Sequence, residues 1–370
     1  MADKALRVVV WSTGGIGSIA VRAVAENPGM ELVGVWVHSP EKAGRDAGEI
    51  VGIGPIGVAA TNDADALIAL RPDCVVYAAS GPERDAGAMP DYVRLLEAGI
   101  NVVSTTTNRL IYPDAFEPEA WRDELTAAAA AGGASLYASG IEPGFAADHL
   151  VLMLTTQSKS ITKIHASEIA MYDDYPVAET MRDAMGFGLP LDATPYLAFP
   201  GAIAFQWGPG LRLIAHGLGL KIDEIRERFD RVATDRDLHV AFGTAQAGTC
   251  GALRTQAIAV IDGREAIIIE HVNRLAPDLG LEWGDRVDRP VYQVRIEGEP
   301  DIACTMTASL RDPGASGSTM EAGDGVNGHA GGQCDSLCGA GGTGIADGAG
   351  PAAHTAPPRA ALTASAARSR

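Results

Sequence analysis

Short apolar runs alternate with segments of helical spacing over the first part of the chain. The apolar runs, typical of buried strands, are Leu6 to Trp11, Glu31 to Val37, Asp73 to Ala79, Asn101 to Thr105 and Ser135 to Ala138. The helical segments between them are Ser18 to Glu26, Ala64 to Leu70, Pro90 to Ala98 and Phe116 to Ala131. Because strands joined by helices form right-handed crossovers, the pattern predicts an α/β domain with a doubly wound parallel sheet.

The second part of the chain is rich in strand patterns. These are Lys163 to Met171, Arg254 to Ile261, Ala266 to Arg274, Val291 to Ile296 and Ile302 to Ser309. The run from Val291 to Ile296 partly alternates between apolar and polar residues, as in a sheet with one solvated face. A helical pattern covers Ile222 to Val232. We therefore predict a C-terminal α+β domain built on a mostly antiparallel sheet.

The predicted domains are residues 1–145 and 146–310, followed by a tail of residues 311–370. The stretch from Gly314 to Gly350 holds 13 of the 44 glycines of the chain, which disfavours a packed core. The tail is either a disordered extension or the product of a frameshift, since a shifted frame of a GC-rich gene can encode an amphipathic helix here. Cys334 and Cys338 fit no standard zinc spacing, so we expect no metal.

Composition narrows the possible classes of protein. The chain has 370 residues, 46% hydrophobic and 21% charged, as expected for a globular protein of about two domains. Its net charge of −18 argues against a nucleic-acid partner, which requires a basic surface. No apolar run reaches the roughly 20 residues that span a membrane, and Met1 to Arg7 does not resemble a signal peptide. We expect no membrane partner, a cytoplasmic location and reduced cysteines, with Cys74 acting as a small buried apolar side chain.

A glycine-rich turn follows the first predicted strand and opens a helix. The usual dinucleotide-binding pattern is G-x-G-x-x-G, and Gly14 and Gly17 match its second and third glycines, while Ser12 stands in place of the first. Glycines allow the backbone to approach a diphosphate, and the helix N-terminus offers free N–H groups to the anion. The turn predicts a cofactor site made by Ser12, Thr13, Gly14, Gly15, Ile16 and Gly17; a plain glycine-rich turn is the alternative.

The end of the second strand bears on the choice between NAD and NADP. NAD enzymes place a carboxylate there for the ribose 2′-hydroxyl. Here His38 and Ser39 follow the strand, with Lys42 close behind and Glu41 only after a proline. A hydroxyl and a cation suit a 2′-phosphate better, so we favour NADP over NAD and keep both open. The alternative is that Lys42 and Arg45 are solvated loop charges.

Small residues end two further strands, one at Ala79, Ser80 and Gly81 and the other at Thr105 and Thr106. The carboxyl ends of a doubly wound sheet line the cofactor crevice, so we count these residues as cofactor-binding candidates. Ordinary strand-end turns explain the same residues equally well.

Several segments resemble the dihydrodipicolinate-reductase-like proteins. Besides the strand-turn-helix, they are Glu31 to Pro40, Gly44 to Glu49 and Gly140 to Phe145. The branch resembled comprises diaminopentanoate dehydrogenases and native amine dehydrogenases, over about residues 6 to 310. The resemblance implies a Rossmann domain, a C-terminal domain for substrate binding and dimerisation, and NAD(P)-dependent reduction of a C=N or C=O bond.

The chain departs from this branch at two positions. In the amine dehydrogenases an acidic residue in a segment like S-T-C-E-E-L-x-Y-P activates water or the amine. Asn108 stands at that position here, and an amide cannot act as a base. In the motif G-x-N-P-G-F the chain has Glu142 in place of asparagine. A carboxylate is thus lost at one position and gained at another, and Asn108 and Glu142 are the candidate catalytic residues.

Glu142 is the first candidate for proton transfer. The apolar neighbours Ile141, Pro143 and Phe145 are expected to raise the pKa of its carboxyl group by desolvation. The alternative is a structural role, as a salt-bridge partner or a helix cap. Glu168, Tyr172 and Asp173 are weaker candidates for the same site.

These patterns together predict an NAD(P)-dependent oxidoreductase that transfers hydride at a C=N or C=O group of a small molecule, and that forms a homodimer. The alternative is a nucleotide-binding redox sensor, or a decayed enzyme without turnover, as the loss of a carboxylate at Asn108 would allow.

Overall fold

The computed structural model describes residues 4–79, 84–115, 119–308 and 344–346. These residues divide into two compact units, and the division falls between Ile141 and Glu142. Each unit is built around its own sheet. The predicted tail of residues 311–370 lies outside the described residues apart from 344–346, so its nature stays a prediction.

The first unit contains one parallel sheet of seven strands in the order β3-β2-β1-β4-β5-β6-β15. The strands are β1 (Leu6–Trp11), β2 (Met30–Trp36), β3 (Ala60–Thr61), β4 (Cys74–Tyr77), β5 (Asn101–Ser104), β6 (Ser135–Ala138) and β15 (Gly344–Ala346). The α-helices are α1 (Gly15–Glu26), α2 (Ala47–Val51), α3 (Ala64–Ala69), α4 (Arg84–Glu97) and α5 (Glu119–Gly132). Single turns of 3-10 helix are Pro40–Lys42, Asn108–Ile111 and Pro113–Ala115.

This strand order confirms the doubly wound parallel sheet. The order reverses between β1 and β4, which is where a sheet of this kind binds its ligand at the carboxyl ends of the strands. Val8, Val10 and Val76 are buried against Ala20 and Val24 of α1, so the glycine turn between β1 and α1 is fixed from both sides by the core.

The second unit contains a sheet of six strands in the order β14-β13-β7-β12-β11-β8. Its strands are β7 (Ser160–Met171), β8 (Glu224–Ala233), β11 (Cys250–Ile261), β12 (Arg264–Arg274), β13 (Val291–Glu299) and β14 (Ile302–Thr307); β9 (Leu238–Val240) and β10 (Gly243–Ala245) form a separate hairpin. Its helices are α6 (His149–Thr155), α7 (Ala202–Gly217), a π-helix at Thr180–Met185 and 3-10 turns at Tyr196–Ala198 and Leu281–Trp283.

The second sheet is mostly antiparallel, as predicted. The single parallel pair within the sheet is β7 with β12, which places Glu168 directly beside His271. Helices α6 and α7 pack on the same face, where Val151, Leu211 and Ile214 meet Ile269 of β12. The polar side chains described below lie two residues further along β12 and β7, at His271 and Glu168.

Two elements of the second unit differ from the prediction. The helix expected at Ile222 to Val232 is wrong, because this segment is the edge strand β8, paired antiparallel with β11. Its charged residues favour helix intrinsically, but pairing along β11 overrides that propensity. Helix α7 was not predicted, because Pro209 and its neighbouring glycines resemble a loop.

Cys74 is buried in the sheet, as predicted, but the expectation of a reduced thiol is wrong, because this residue is disulfide-bonded. Among the residues that the structure describes, Cys250 and Cys304 are free. An odd number of cysteines leaves at least one unpaired but does not prevent a bond between two others. Among the described residues, no helix is both long and apolar enough to cross a membrane.

Candidate active site

The turn after β1 has the conformation that the first glycine of a dinucleotide-binding pattern provides. Ser12 stands at this position with a φ of 112°, a region that side chains other than glycine seldom adopt. Its N–H donates to the carbonyl oxygen of Trp36 (3.0 Å), and its Oγ accepts from the N–H of Gly14 (3.2 Å). The tight turn therefore forms without the first glycine, at the cost of backbone strain in Ser12.

Gly14 and Gly17, the second and third glycines of the pattern, meet different requirements. A Cβ on Gly17 would lie 2.2 Å from the carbonyl oxygen of Ser12, so only glycine allows α1 to start this close to β1. A Cβ on Gly14 would meet only the Ser12 Oγ, at 3.7 Å, so Gly14 faces open space. That free space at the turn is what a diphosphate needs.

The N-terminus of α1 is available to an anion. Gly14 is the N-cap, no side chain caps the helix, and its first turn, which holds Gly15 and Ile16, carries no acidic residue. The first N–H groups of an α-helix have no partner within the helix, and the helix dipole is positive at this end. These groups and the space at Gly14 fit the diphosphate of a dinucleotide.

Lys42 reaches the glycine turn from the end of the second strand. Its Nζ donates to the Oγ1 of Thr13 at 3.2 Å. Ser39 is the N-cap of the 3-10 turn Pro40–Lys42, and the ring of His38 lies 6.1 Å from that of Trp36. The structure thus brings together Thr13 and Lys42, which are far apart in sequence.

The strand-end candidates form a second group in the same unit. The hydroxyl of Thr106 donates to the carbonyl oxygen of Ala79 (2.8 Å), and the N–H of Thr105 donates to that of Tyr77 (3.0 Å). Ser80 and Gly81 lie outside the described residues. Asn108 begins the 3-10 helix after β5 and is partly exposed.

Aromatic side chains line the carboxyl ends of the central strands. Trp11 stacks on Trp36, with ring centroids 5.4 Å apart, and on Tyr77, at 6.0 Å. The Tyr77 hydroxyl donates to Asp91 of α4 (2.9 Å), and burial raises the pKa values of both groups. This network holds the strand ends in fixed positions next to the glycine turn.

Glu142 lies in the second unit, four residues after β6 ends in the chain. Its side chain is 3% exposed, and its Oε1 lies 3.5 Å from the Nε2 of His271. On the other side of the imidazole, Nδ1 lies 3.4 Å from the Oε1 of Glu168. The structure therefore places a buried imidazole between two buried carboxyl groups; we call Glu142, His271 and Glu168 the carboxyl–imidazole cluster.

Burial and charge set the protonation of this cluster. Burial raises the pKa of Glu142 to about 7, in the direction the sequence predicts, although His271 opposes the shift. Burial alone would lower the pKa of His271, but Glu142 and Glu168 outweigh it and raise that pKa to about 9. Near neutral pH the cluster thus contains a cationic imidazole and a Glu142 carboxyl group able to take up or release a proton.

The residue that caps the following helix, α6, is Asp148 and not Glu142. Asp148 is the N-cap of α6, where it accepts from the N–H groups of Gly144 (2.7 Å) and His149 (2.6 Å). The weaker candidates Tyr172 and Asp173 lie elsewhere: Tyr172 stacks on Tyr175 and packs against Phe187.

Sequence reasoning did not pair His271 with Glu142. The available signal was the presence of charged residues inside strands that are otherwise apolar, at Glu168 and at Glu270-His271. Such residues in a buried strand require partners, and the partners here come from distant parts of the chain. In the described ranges, no cluster of three or more His, Cys, Asp or Glu residues could hold a metal ion.

Comparison with known proteins relates both units to dehydrogenases. The family described as dihydrodipicolinate reductase, N-terminus, matches residues 6–109. The family described as 2,4-diaminopentanoate dehydrogenase C-terminal domain matches residues 145–323. The chain is 39% identical over 308 residues to an amine dehydrogenase of Streptomyces virginiae, covering 82% of this chain and 85% of the relative. The chain belongs to the amine dehydrogenase family.

Other members and structures agree with this assignment. A 2,4-diaminopentanoate dehydrogenase of Acetoanaerobium sticklandii is 24% identical over 84% of this chain and 86% of its own. The fold matches that of the amine dehydrogenase from Mycobacterium smegmatis, with a TM-score of 0.73 at 20% identity over 94% of this chain and 96% of that chain. This member of the amine dehydrogenase family is an NAD(P)-dependent oxidoreductase that acts on a C=N or C=O group of a small molecule.

Proposed function

We propose that the protein interconverts a small primary amine and the corresponding imine or ketone, and that Glu142 is the group that moves the proton. The observation that carries the proposal is the buried Glu142 carboxyl group, 3.5 Å from His271, in a chain with Asn108 at the position where the resemblance implies a carboxylate. A group with a pKa of about 7 can serve as acid or base at neutral pH.

The proton steps follow from this assignment. In the oxidative direction the Glu142 carboxylate accepts a proton from the substrate ammonium, which leaves a neutral amine that can give up hydride. A nicotinamide cofactor, when bound, would accept this hydride or supply it in the reverse direction. Water then adds to the resulting iminium carbon, and ammonium departs to leave a ketone. In the reductive direction the Glu142 carboxylic acid returns the proton to the amine nitrogen.

Turnover assays test this function directly. Purified protein with NADP⁺ and a panel of small primary amines should produce reduced cofactor, and the matching ketones with ammonia should consume it. The names of the relatives, amine dehydrogenase and 2,4-diaminopentanoate dehydrogenase, suggest monoamines and diamines for the panel. Tight binding of NADPH without turnover of any pair would favour the redox sensor instead.

We further propose that NADP is the preferred cofactor and that Lys42 binds its 2′-phosphate. The support is the position of the ammonium group, 3.2 Å from Thr13 in the glycine turn, and the absence of a carboxylate from residues 37–40 at the end of β2. A cytoplasmic location fits this assignment, because the enzyme needs a renewable pool of the dinucleotide.

Replacing Lys42 by methionine should weaken NADPH binding by about 10- to 100-fold, the usual value of a hydrogen bond between charged groups. NADH, which has no 2′-phosphate, should bind within about twofold of the wild-type affinity. Calorimetric titration measures both, and Lys159→Met in the second unit is the matched control. Equal losses for the two cofactors would mean that Lys42 only supports the turn, and no loss would make it a solvated loop charge.

A homodimer is proposed to form on the second sheet. Both α6 and α7 cover one face, whereas the other carries polar residues in register across five strands: Gln293, Ser167, Glu270, Gln256 and Arg228. A second copy of the chain would pair with these groups. Light scattering should give twice the mass of one chain, and a mass of one chain would rule the dimer out.

A further inference from the structure

The second sheet contains two histidine–glutamate pairs, one on each face; the first is buried, whereas the histidine of the second is one-third exposed. His271 and Glu168 lie on the face that α7 covers, on directly neighbouring residues of β12 and β7. His165 and Glu270 lie on the opposite face of the same two strands, 3.4 Å apart. Only the first pair touches Glu142 in the part of the chain that the structure describes. The two pairs are therefore similar in local chemistry but differ in their connection to the candidate active site.

The side chains of the carboxyl–imidazole cluster are almost entirely buried. The His271 and Glu168 side chains are 6% and 9% exposed, and the Trp207 ring of α7 lies 4.5 Å from the imidazole. The side-chain amide of Asn273 donates to the Oε1 of Glu168 at 3.5 Å. The positions of these groups are thus fixed by packing and by β-sheet register, not by solvent.

We propose that Glu168 is a positioning residue that acts through His271, by holding Nδ1–H of the imidazole so that Nε2 faces the Glu142 carboxyl group. The proposal rests on the function proposed above, in which Glu142 transfers the proton. Glu168 touches neither the substrate nor Glu142 itself. Its effect is to keep the imidazole oriented and cationic while Glu142 is ionised.

The charges around the imidazole determine the direction in which the pKa values of His271 and Glu142 shift. The titratable groups near it are Glu142, Glu168, Asp148 at the start of α6 and Tyr292 of β13, which is in register with Glu168. Burial is the largest influence on the His271 pKa and lowers it, and the two glutamates together reverse this. Without Glu168, one of the two carboxyl groups that oppose burial is gone, so the imidazole is less readily cationic. The Glu168 charge itself raises the Glu142 pKa, but His271 lowers that pKa by more, so weakening the imidazolium raises the Glu142 pKa on balance.

The test is the pH dependence of kcat/KM for amine oxidation, which requires ionised Glu142. In the wild type it should rise as the pH passes through about 7. In Glu168→Gln this rise should move up by about one pH unit, so that activity falls about fivefold at neutral pH and little on the alkaline plateau. A purely structural loss would lower activity equally at every pH, and that result, or an unmoved profile, would overturn the proposal.

Glu270→Gln is the matched control, because it removes the same contact from the other pair and should leave the profile in place; light scattering on this variant checks that the proposed dimer is retained. Glu168→Asp keeps the charge and should hold the profile within about 0.3 pH units of the wild type. NMR titration of His271 in the wild-type protein needs no variant, and an imidazole that is neutral below pH 7 would also overturn the proposal. If Glu142→Gln retains full turnover, the proton role proposed for Glu142 fails, whatever Glu168→Gln shows.

Discussion

Replacing Glu142 by glutamine should lower kcat for amine oxidation by about 10²- to 10⁴-fold, the usual contribution of general acid–base catalysis. Glutamine has the same shape and keeps an amide oxygen beside His271, but it cannot take up the proton of the substrate ammonium. Stopped-flow measurement of cofactor reduction under single-turnover conditions would isolate this step. The affinity for NADPH should stay within about twofold, because the glycine turn is unchanged.

The interpretation depends on comparing turnover with binding. A parallel loss of kcat and of NADPH affinity would mean that the substitution perturbs the fold. Full activity would remove Glu142 from the proton role and return attention to Asn108. Glu270→Gln again serves as control, since it replaces another buried glutamate of the second unit, with a side chain 7% exposed.

Substitution of valine for Gly14 should abolish binding of both NADPH and NADH, with Kd values raised at least ~100-fold. The new side chain occupies the open space at the turn, where the diphosphate would approach the first N–H groups of α1. The melting temperature should change by no more than about 3 °C, because a Cβ at this position makes only one ordinary contact and the backbone is extended. Calorimetric titration and thermal unfolding measure the two effects separately.

Gly17→Ala provides the contrasting variant. Its Cβ would collide with the carbonyl oxygen of Ser12, so α1 must move away from β1 at a cost of about 1–3 kcal/mol in stability. We expect a lower melting temperature together with loss of binding. If Gly14→Val binds either cofactor normally, the turn does not hold the diphosphate, and the assignment as a dinucleotide enzyme is wrong.

Local sequence patterns predicted the first unit well, because each element there satisfies its own preference. The strands β1, β2, β4, β5 and β6 are apolar runs bounded by turns, and the helices between them have apolar residues at helical spacing. The same reasoning failed in the second unit, where neighbouring chain segments decide the outcome. The charged segment of β8 would be a helix on its own, and pairing with β11 makes it an edge strand.

The candidate site likewise has one part that the sequence predicted and one part that it did not. The glycine turn and Lys42 follow the two strands of one βαβ segment, so the sequence places both at the same edge of the sheet, and the structure adds their contact. The sequence also suggested a raised pKa for Glu142, because its immediate neighbours are apolar. The sequence did not predict His271 as its partner, because the approach of His271 to Glu142 depends on the register of β12 against β7 and on the packing of α7. Contacts between distant segments of this kind follow only from the folded structure.

The stacked indoles of Trp11 and Trp36 have a practical consequence. Trp11 immediately precedes Ser12, so both rings lie at the end of the sheet where the cofactor is expected. Light absorbed by these indoles can pass without radiation to a reduced nicotinamide bound nearby, which quenches their emission. The tryptophan fluorescence of the protein should therefore report cofactor binding, and titrations can be followed without attaching a dye.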